Sequence, residues 1–387
     1  MRILPVALVL TSTLVAAAGC GSSDTFTPVS LDAGGPPAAD GGADAATPNG
    51  LGFVPTNLAA VDLSGALGDI VLEDCGAQVR AGDTGRLACF DPDDRDKPFR
   101  YTQVTQPDGT KIKVFVVRSL RIPSGVTAVL LGSDPIAIIA LDTIEIEGSL
   151  AVSTVDTAGG FKAPDTGQTG NGPGGGKPAT VGVGDGGGGY CGKGGAGGFS
   201  GGGAGGSTYG NVTISPLLGG SSGGGAFSAD GGGALQLVAK NLIRISTGGS
   251  INMGGRGSDQ GGAGAGGALL IEAAEVVVAG KIAANGGGGG AGTGPNDGQD
   301  GQLDTAPTPE GTGEAVAGGG GGKGGAGSAI DGQPGVANTT FGDGAFSGNG
   351  GGGAGRIRIN TRSGSATISG LVSPTLTTVC ATQGTLL

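Results

Sequence analysis

The stretch from residue 261 to 290, GGAGAGGALLIEAAEVVVAGKIAANGGGGG, sets the terms on which this chain folds. Between two glycine tracts lies an apolar piece, residues 268–283. In it Leu269 and Ile271 are spaced by two, Val276 and Val278 likewise, and Gly280-Lys281 leads into Ile282. A period of two belongs to strands and a glycine between apolar runs to a bend, so the piece reads strand, bend, strand, bend. The flanking glycines have no side chains to bury and lose the most backbone entropy on ordering. The core they leave is thin and extended.

The chain has 93 glycines and 20 prolines among 387 residues, more than twice the usual combined share. Spread evenly, such a composition reads as disorder, but here the glycines cluster and the segments between them are β-branched and apolar. There is no histidine and no tryptophan. Imidazole acid–base chemistry, histidine-dependent triads and histidine metal sites are therefore excluded. A formal net charge of −11 opposes contact with phosphate backbones, so nucleic acid is not an expected partner.

Four segments lie over one another: 135–153, 233–254, 267–286 and 355–373. Each has two short strands and then a glycine-led bend into a third. The first needs a one-residue gap, and the second carries Thr247-Gly248 in addition. Glu145 and Glu147 alternate with Ile144 and Ile146, as Arg356 and Arg358 do with Ile357 and Ile359, which marks strands with one buried face. Units of roughly 20 to 25 residues that cannot bury their apolar face alone imply a solenoid of parallel strands. The expected core stripe is Ile146, Ile245, Val278 and Ile359, with Val277 on the opposite, wet face. Residues 156–232 and 287–354 exceed ordinary loops and are expected to be extrusions from the coil. Partial order is expected in them, as polyproline-II-like segments bonded side by side where no Cβ prevents approach.

At the N-terminus, Met1-Arg2 and the apolar run of residues 3–18 have the form of a secretory signal. Ala17-Ala18-Gly19-Cys20 at its end resembles the bacterial lipobox. That resemblance implies a diacylglyceryl thioether on Cys20 as the membrane anchor, and Gly21 after it implies sorting to the outer membrane. Residues 21–50 carry almost no large apolar side chain and read as a tether, whose reach is about 30 Å for a flexible chain of this length. The expected organisation is a signal at 1–19, a lipidated cysteine and tether at 20–50, an N-terminal β region at 51–126 and a glycine-rich solenoid at 127–387.

Within the β region, residues 99–104 and 111–117 flank Gln106-Pro107-Asp108-Gly109, a hairpin in which proline sets the second turn position and glycine supplies a positive φ. Cys75 and Cys89 are expected to pair, and Cys191 and Cys380, the remaining two, with each other. By chain entropy the first loop is worth about 3 kcal/mol and the second at most about 5 kcal/mol. Nine cations fall here: Arg80, Arg86, Arg95, Lys97, Arg100, Lys111, Lys113, Arg118 and Arg121. They are read as the solvent side of alternating strands, Lys111 and Lys113 pairing with the acidic residues of 91–96; the functional alternative is a face for acidic polysaccharide or lipopolysaccharide.

The whole mature chain resembles a right-handed parallel β-helix, and it looks like the glycine-rich β-solenoid lipoproteins of Gram-negative bacteria. The resemblance implies an all-β surface protein with little assigned chemistry; a Greek-key or jelly-roll sandwich is the alternative fold. Asp297, Asp300 and Asp304 resemble part of a calcium loop, without its third-position acid and twelfth-position glutamate, so they read as a solvated turn and calcium is not an expected cofactor. The acidic cluster Asp91, Asp93, Asp94 and Asp96 has the same reading. For a polysaccharide-active β-helix enzyme the candidates would be Asp142, Glu145, Glu147, Glu272 and Arg244, scattered through the units and read as the wet face of the coil. The expectation is a non-enzymatic, exported outer-membrane lipoprotein with a structural, adhesive or matrix role; polysaccharide is its expected partner beside the membrane. A polysaccharide-binding module is the alternative.

Overall fold

The structure, a computed structural model, describes residues 50–58, 61–72, 79–81, 87–89, 101–130, 132–152, 158–165, 167–180, 183–293, 297–313, 318–340 and 344–387. All lie within one unit, Ala46–Leu387. The signal, the lipobox and most of the tether fall outside the described residues, as do Cys75 and the cluster Asp91 to Asp96.

Strands β1 (Leu67–Val71), β2 (Val79–Ala81), β3 (Leu87–Cys89) and β4 (Tyr101–Thr105) precede a regular coil. Each turn of the coil then gives a long strand to one sheet and a short strand to another. The turns are β5 (Lys111–Ile122) with β6 (Thr127–Leu130); β7 (Ile136–Ala140) and β8 (Thr143–Ile146) with β9 (Ser149–Val152); β10 (Ala234–Ile245) with β11 (Ser250–Asn252); β12 (Ala268–Val278) with β13 (Lys281–Ala283); and β14 (Arg356–Thr361) and β15 (Thr367–Ile368) with β16 (Leu371–Ser373). A last strand, β17 (Ala381–Thr385), lies on β14. In both sheets the spatial order follows the chain, and every pairing between turns is parallel. The antiparallel ladders of a Greek key or jelly roll are absent among the described residues, where β2–β3 and the β4–β5 hairpin are the only antiparallel strand pairs, beside two isolated bridges, Thr308–Gly324 and Ala326–Ala329. The protein is all-β with parallel sheets.

Strands β5, β7, β10 and β8 close a ring of hydrogen-bonded neighbours. Because β7 pairs with residues 235–239 of β10 and β8 with residues 242–245, those two strands lie end to end and form one strand position broken at Leu141-Asp142. The same pairing places β5 inside the stack, so the stack begins ahead of the boundary expected after residue 126.

The repeat register agrees with the sequence alignment, with two corrections. The one-residue gap lies in the third segment, where Ala274 alone stands opposite Lys240-Asn241, and not in the first, where Leu141-Asp142 match those two residues. β10 reaches β11 through four residues where β12 reaches β13 through two, which is the Thr247-Gly248 insertion. Ile146, Ile245 and Val278 do form one row, but Ile368 continues it. Ile359 instead aligns with Ile271, Leu237 and Ile138. The reason is a loop between β14 and β15 that is two residues longer than the corresponding part of β12. These side chains are buried in one core between the two sheets, except Ile368, which is partly buried against it. Gly249, Gly280 and Gly370 stack at the bends, where an added Cβ would overlap the carbonyl of the turn below. The residue after each bend donates to the bend glycine of the preceding turn: Ser250 N to Gly148 O (2.9 Å), Lys281 N to Gly249 O (3.0 Å) and Leu371 N to Gly280 O (2.9 Å).

The described residues of the two glycine-rich insertions are ordered without forming named strands. From residue 348 to 355 the N–H groups take three directions in rotation. Residues 348, 351 and 354 donate to the carbonyls of 336, 333 and 330; residues 349, 352 and 355 to those of 290, 287 and 284; residues 350 and 353 to those of 185 and 188. The tract 286–292 repeats the pattern, with 286, 289 and 292 donating to 325, 322 and 319, and 287 and 290 to 264 and 261. A β-strand sends successive N–H groups to two sides, whereas three residues per turn is the period of polyproline II. The expected side-by-side bonding is therefore present as a layered bundle. Its tracts run directly into β12 and β14, so bundle and coil share continuous chain.

Substituting Val278 with Asp would place a charge in the core row with no partner, at a cost of several kcal/mol. Val277 is only half-buried and lies between Arg244 and Thr367, so Asp there is expected to cost less than about 1 kcal/mol. Urea unfolding of the two variants checks this: a large drop in midpoint for Val278→Asp, and little change for Val277→Asp.

Candidate functional site

The long strands are buried on both faces in their first halves. Residues 235, 237 and 239 of β10 point into the coil core, while Ala234 and Val238 join Ile139, Leu270, Tyr190, Ile214 and Leu217 in a second cluster outside it. Leu51, Phe53 and Leu58 close that cluster, so residues 51–58 form a strap over the outer face of the sheet.

Beneath the strap lies Glu272, expected on a wet face but only 1% exposed. Its Oε1 accepts from Thr56 Oγ1 (2.7 Å) and Asn360 Nδ2 (3.0 Å), and its Oε2 from Gln236 Nε2 (2.7 Å) and Thr56 N (3.0 Å). All four donors are uncharged. Burial raises the carboxyl above its ordinary range, and these hydrogen bonds pull in the opposite direction. Gln236 also donates to Thr56 O, and Asn57, at φ 64°, donates through Nδ2 to Ile214 O (3.0 Å). The carboxylate therefore latches the strap to the sheet, and Asn57 ties the strap to the first insertion.

The other residues considered for catalysis lie elsewhere. Glu145 is level with Arg244 and, through it, with Val277, five residues along the strand direction from Glu272, which at 3.3 Å per residue is about 16 Å. That exceeds the carboxyl separations of either glycosidase geometry, which reach about 9.5 Å. Glu145, Arg244 and Arg121 form a cross-strand row of alternating sign, and Glu147 is ion-paired with Arg121 at 2.9 Å. Asp142 accepts from Asn241 Nδ2 at 2.7 Å. These contacts are those of a solvated sheet face.

Lys113 departs from its expected place. It is 4% exposed, 3.8 Å from Asp134 and 5.6 Å from the Tyr101 ring centre, because β4 and the turn before β7 close over its side of β5. Lys111 is exposed, and Arg118 pairs with Asp69. The hairpin itself is as expected, with Gln106 N bonded to Thr110 O (2.8 Å) and Gly109 at φ 85°. Asp300 accepts from Gly257 N (2.8 Å) and Asp304 from Ala306 N (3.0 Å), each holding backbone; among the described residues no three of His, Cys, Asp and Glu gather to hold a metal. Cys191 and Cys380 are disulfide-bonded, tying the first insertion to the last turn of the coil. Beside them Tyr190 stacks on Tyr209, and Arg356 lies 5.5 Å from the Tyr190 ring centre while its Nη2 donates to Tyr209 O (2.8 Å). The pair Cys75 and Cys89 is outside the described contacts.

Within the bundle, Asp185 Oδ1 accepts from Ala179 N at 2.7 Å, and burial pushes its pKa up to about 6. The chain matches no protein-family model, no curated protein and no solved structure.

A carboxyl raised from 3.8 to about 6 on folding binds its proton more tightly in the folded state. Its contribution is thus fully present below pH 3.8 and lost as pH rises through about 6. Urea denaturation of the parent and of Asp185→Asn at a series of pH values checks the sign: their difference in stability should change between those two values and level off above the higher one.

Proposed function

We propose that the chain is a non-enzymatic, lipid-anchored protein of the outer membrane and cell surface, acting as a rigid structural or adhesive element. The observation that supports it is how the polar side chains are used: Glu272, Asp300 and Asn349 each bond the backbone of another segment. Such groups join strap, coil and bundle into one stiff body. In this reading Cys20 carries the acyl chains, and residues 21–50 hold the body clear of the head groups. The coil is read as a right-handed β-helix, because strand–crossover–parallel strand connections within one sheet are right-handed in nearly all proteins. Its partners are the membrane, through the anchor, and surface polymers.

Fractionation tests the address. In a Gram-negative host the parent should partition into detergent and co-sediment with outer membrane, and Cys20→Ser should shift it to the soluble fraction or stall it as an unprocessed form. Detergent partitioning unchanged by that substitution would refute the anchor. Calcium-dependent release of sugars from acidic polysaccharide by the purified protein would refute the non-enzymatic role.

A further inference from the structure

One face of the glycine bundle ends in an open layer. Tracts 203–206, 193–198, 330–336, 319–325 and 308–311 lie side by side: 194 and 197 donate to 206 and 203; 332 and 335 to 193 and 196; 333 and 336 to 323 and 320; 321 and 324 to 311 and 308. Their inner side is bonded to the next layer, as by 195 to 351, 322 to 349 and 325 to 352. The third direction of the rotation points away from the bundle. It belongs to the N–H groups of Ala196, Gly320, Lys323 and Asp331, none of which has an acceptor among the described residues, and all four residues are at least partly exposed. Pro334 occupies an equivalent outward position, three residues from Asp331, where a missing N–H removes no bond.

We propose that this open layer binds a linear acidic polysaccharide. The inference rests on the surface-protein reading and names its partner. Three features favour that occupant. The layer offers outward N–H donors, those of Gly320 and Lys323 standing about 9 Å apart, three residues of polyproline II, which suits an extended chain rich in oxygen acceptors. Lys193 and Lys323 stand exposed on it, in a chain of net charge −11, and the neighbouring carboxylate of Asp331 is engaged by Lys193 N (2.8 Å). A second copy is the poorer occupant, since it would bring donors against donors. Within the molecule every such layer is covered by backbone carbonyls, and carboxylate and hydroxyl oxygens supply the same acceptors from outside.

The test uses the full-length lipidated protein in detergent, immobilised polygalacturonate, and neutral dextran as the comparison. The variant combines Lys193→Glu, Lys323→Glu and Gly320→Asp; a Cβ at Gly320 meets nothing closer than Gly311 O at 3.6 Å, so the bundle is expected to fold unchanged, as its melting temperature will show. Lys111→Glu, on the exposed hairpin end, is the charge control. The parent should bind polygalacturonate, more weakly as salt rises, and dextran hardly at all. The triple variant should lose at least about tenfold in affinity and the control less than about twofold. Equal binding by parent and triple variant, equal binding to dextran, or self-association through this face without polymer would overturn the proposal. Absence of polygalacturonate binding by a protein that Cys20→Ser still releases from the membrane would overturn this inference alone. A melting temperature lowered in the triple variant shifts the decision to the parent's salt dependence and its preference over dextran, and failure of either overturns the proposal.

Discussion

The whole molecule depends on the missing Cβ. In the tract 348–355, as in 286–292, a Cβ on nearly any glycine would overlap a neighbouring carbonyl, so the backbones stand closer than any side chain permits. That approach is what gives each N–H an acceptor, and it replaces a hydrophobic interior with a hydrogen-bonded one. Ordering a glycine costs more conformational entropy than ordering any other residue. The cost is offset because nearly every buried N–H in the central tracts is bonded, leaving few unpaired donors to penalise the folded state.

The parallel coil fixes where the tracts start and end. Gly267 and Gly355 pass directly into β12 and β14, whose in-register pairing holds the incoming chains at strand spacing. The first halves of the long strands then need cover on both faces: the coil core lies on one side, and the strap 51–58 with Tyr190, Ile214 and Leu217 lies on the other. Glu272 sits at that junction, and the Cys191–Cys380 bond closes the same region from the far end of the chain.

Much of the coil was legible in the sequence, because each repeat carries both a period-two stripe and a bend glycine. Gly249 and Gly280 mark the same corner, and the Thr247-Gly248 insertion fell where two extra residues would. Ile359 was misplaced, because the loop between β14 and β15 changes the spacing without changing the pattern. Glu272 departs from its expected wet face for a different reason. Strict alternation does not hold there, since ALLIEAA and IAIIA are near-continuous apolar runs, which is how parallel strands buried on both faces read. That signal was present, but the identity of the cover was not, since the strap lies more than 200 residues away in the chain. Lys113 was likewise hidden by chain that folds over it from β4 and the turn before β7. In the bundle, the tracts were read as polyproline-like, but which tract meets which depends on contacts that glycine runs do not encode.

The threefold rotation of hydrogen bonds in the glycine tracts is tested most directly by residue-resolved amide hydrogen exchange across 319–325. The N–H groups of Gly319, Gly322 and Gly325 bond inward, those of Gly321 and Gly324 bond sideways, and those of Gly320 and Lys323 face out. Slow exchange at the first five and fast exchange at Gly320 and Lys323, three residues apart, is the predicted result. Uniformly fast exchange, or protection alternating with a period of two, would contradict the account.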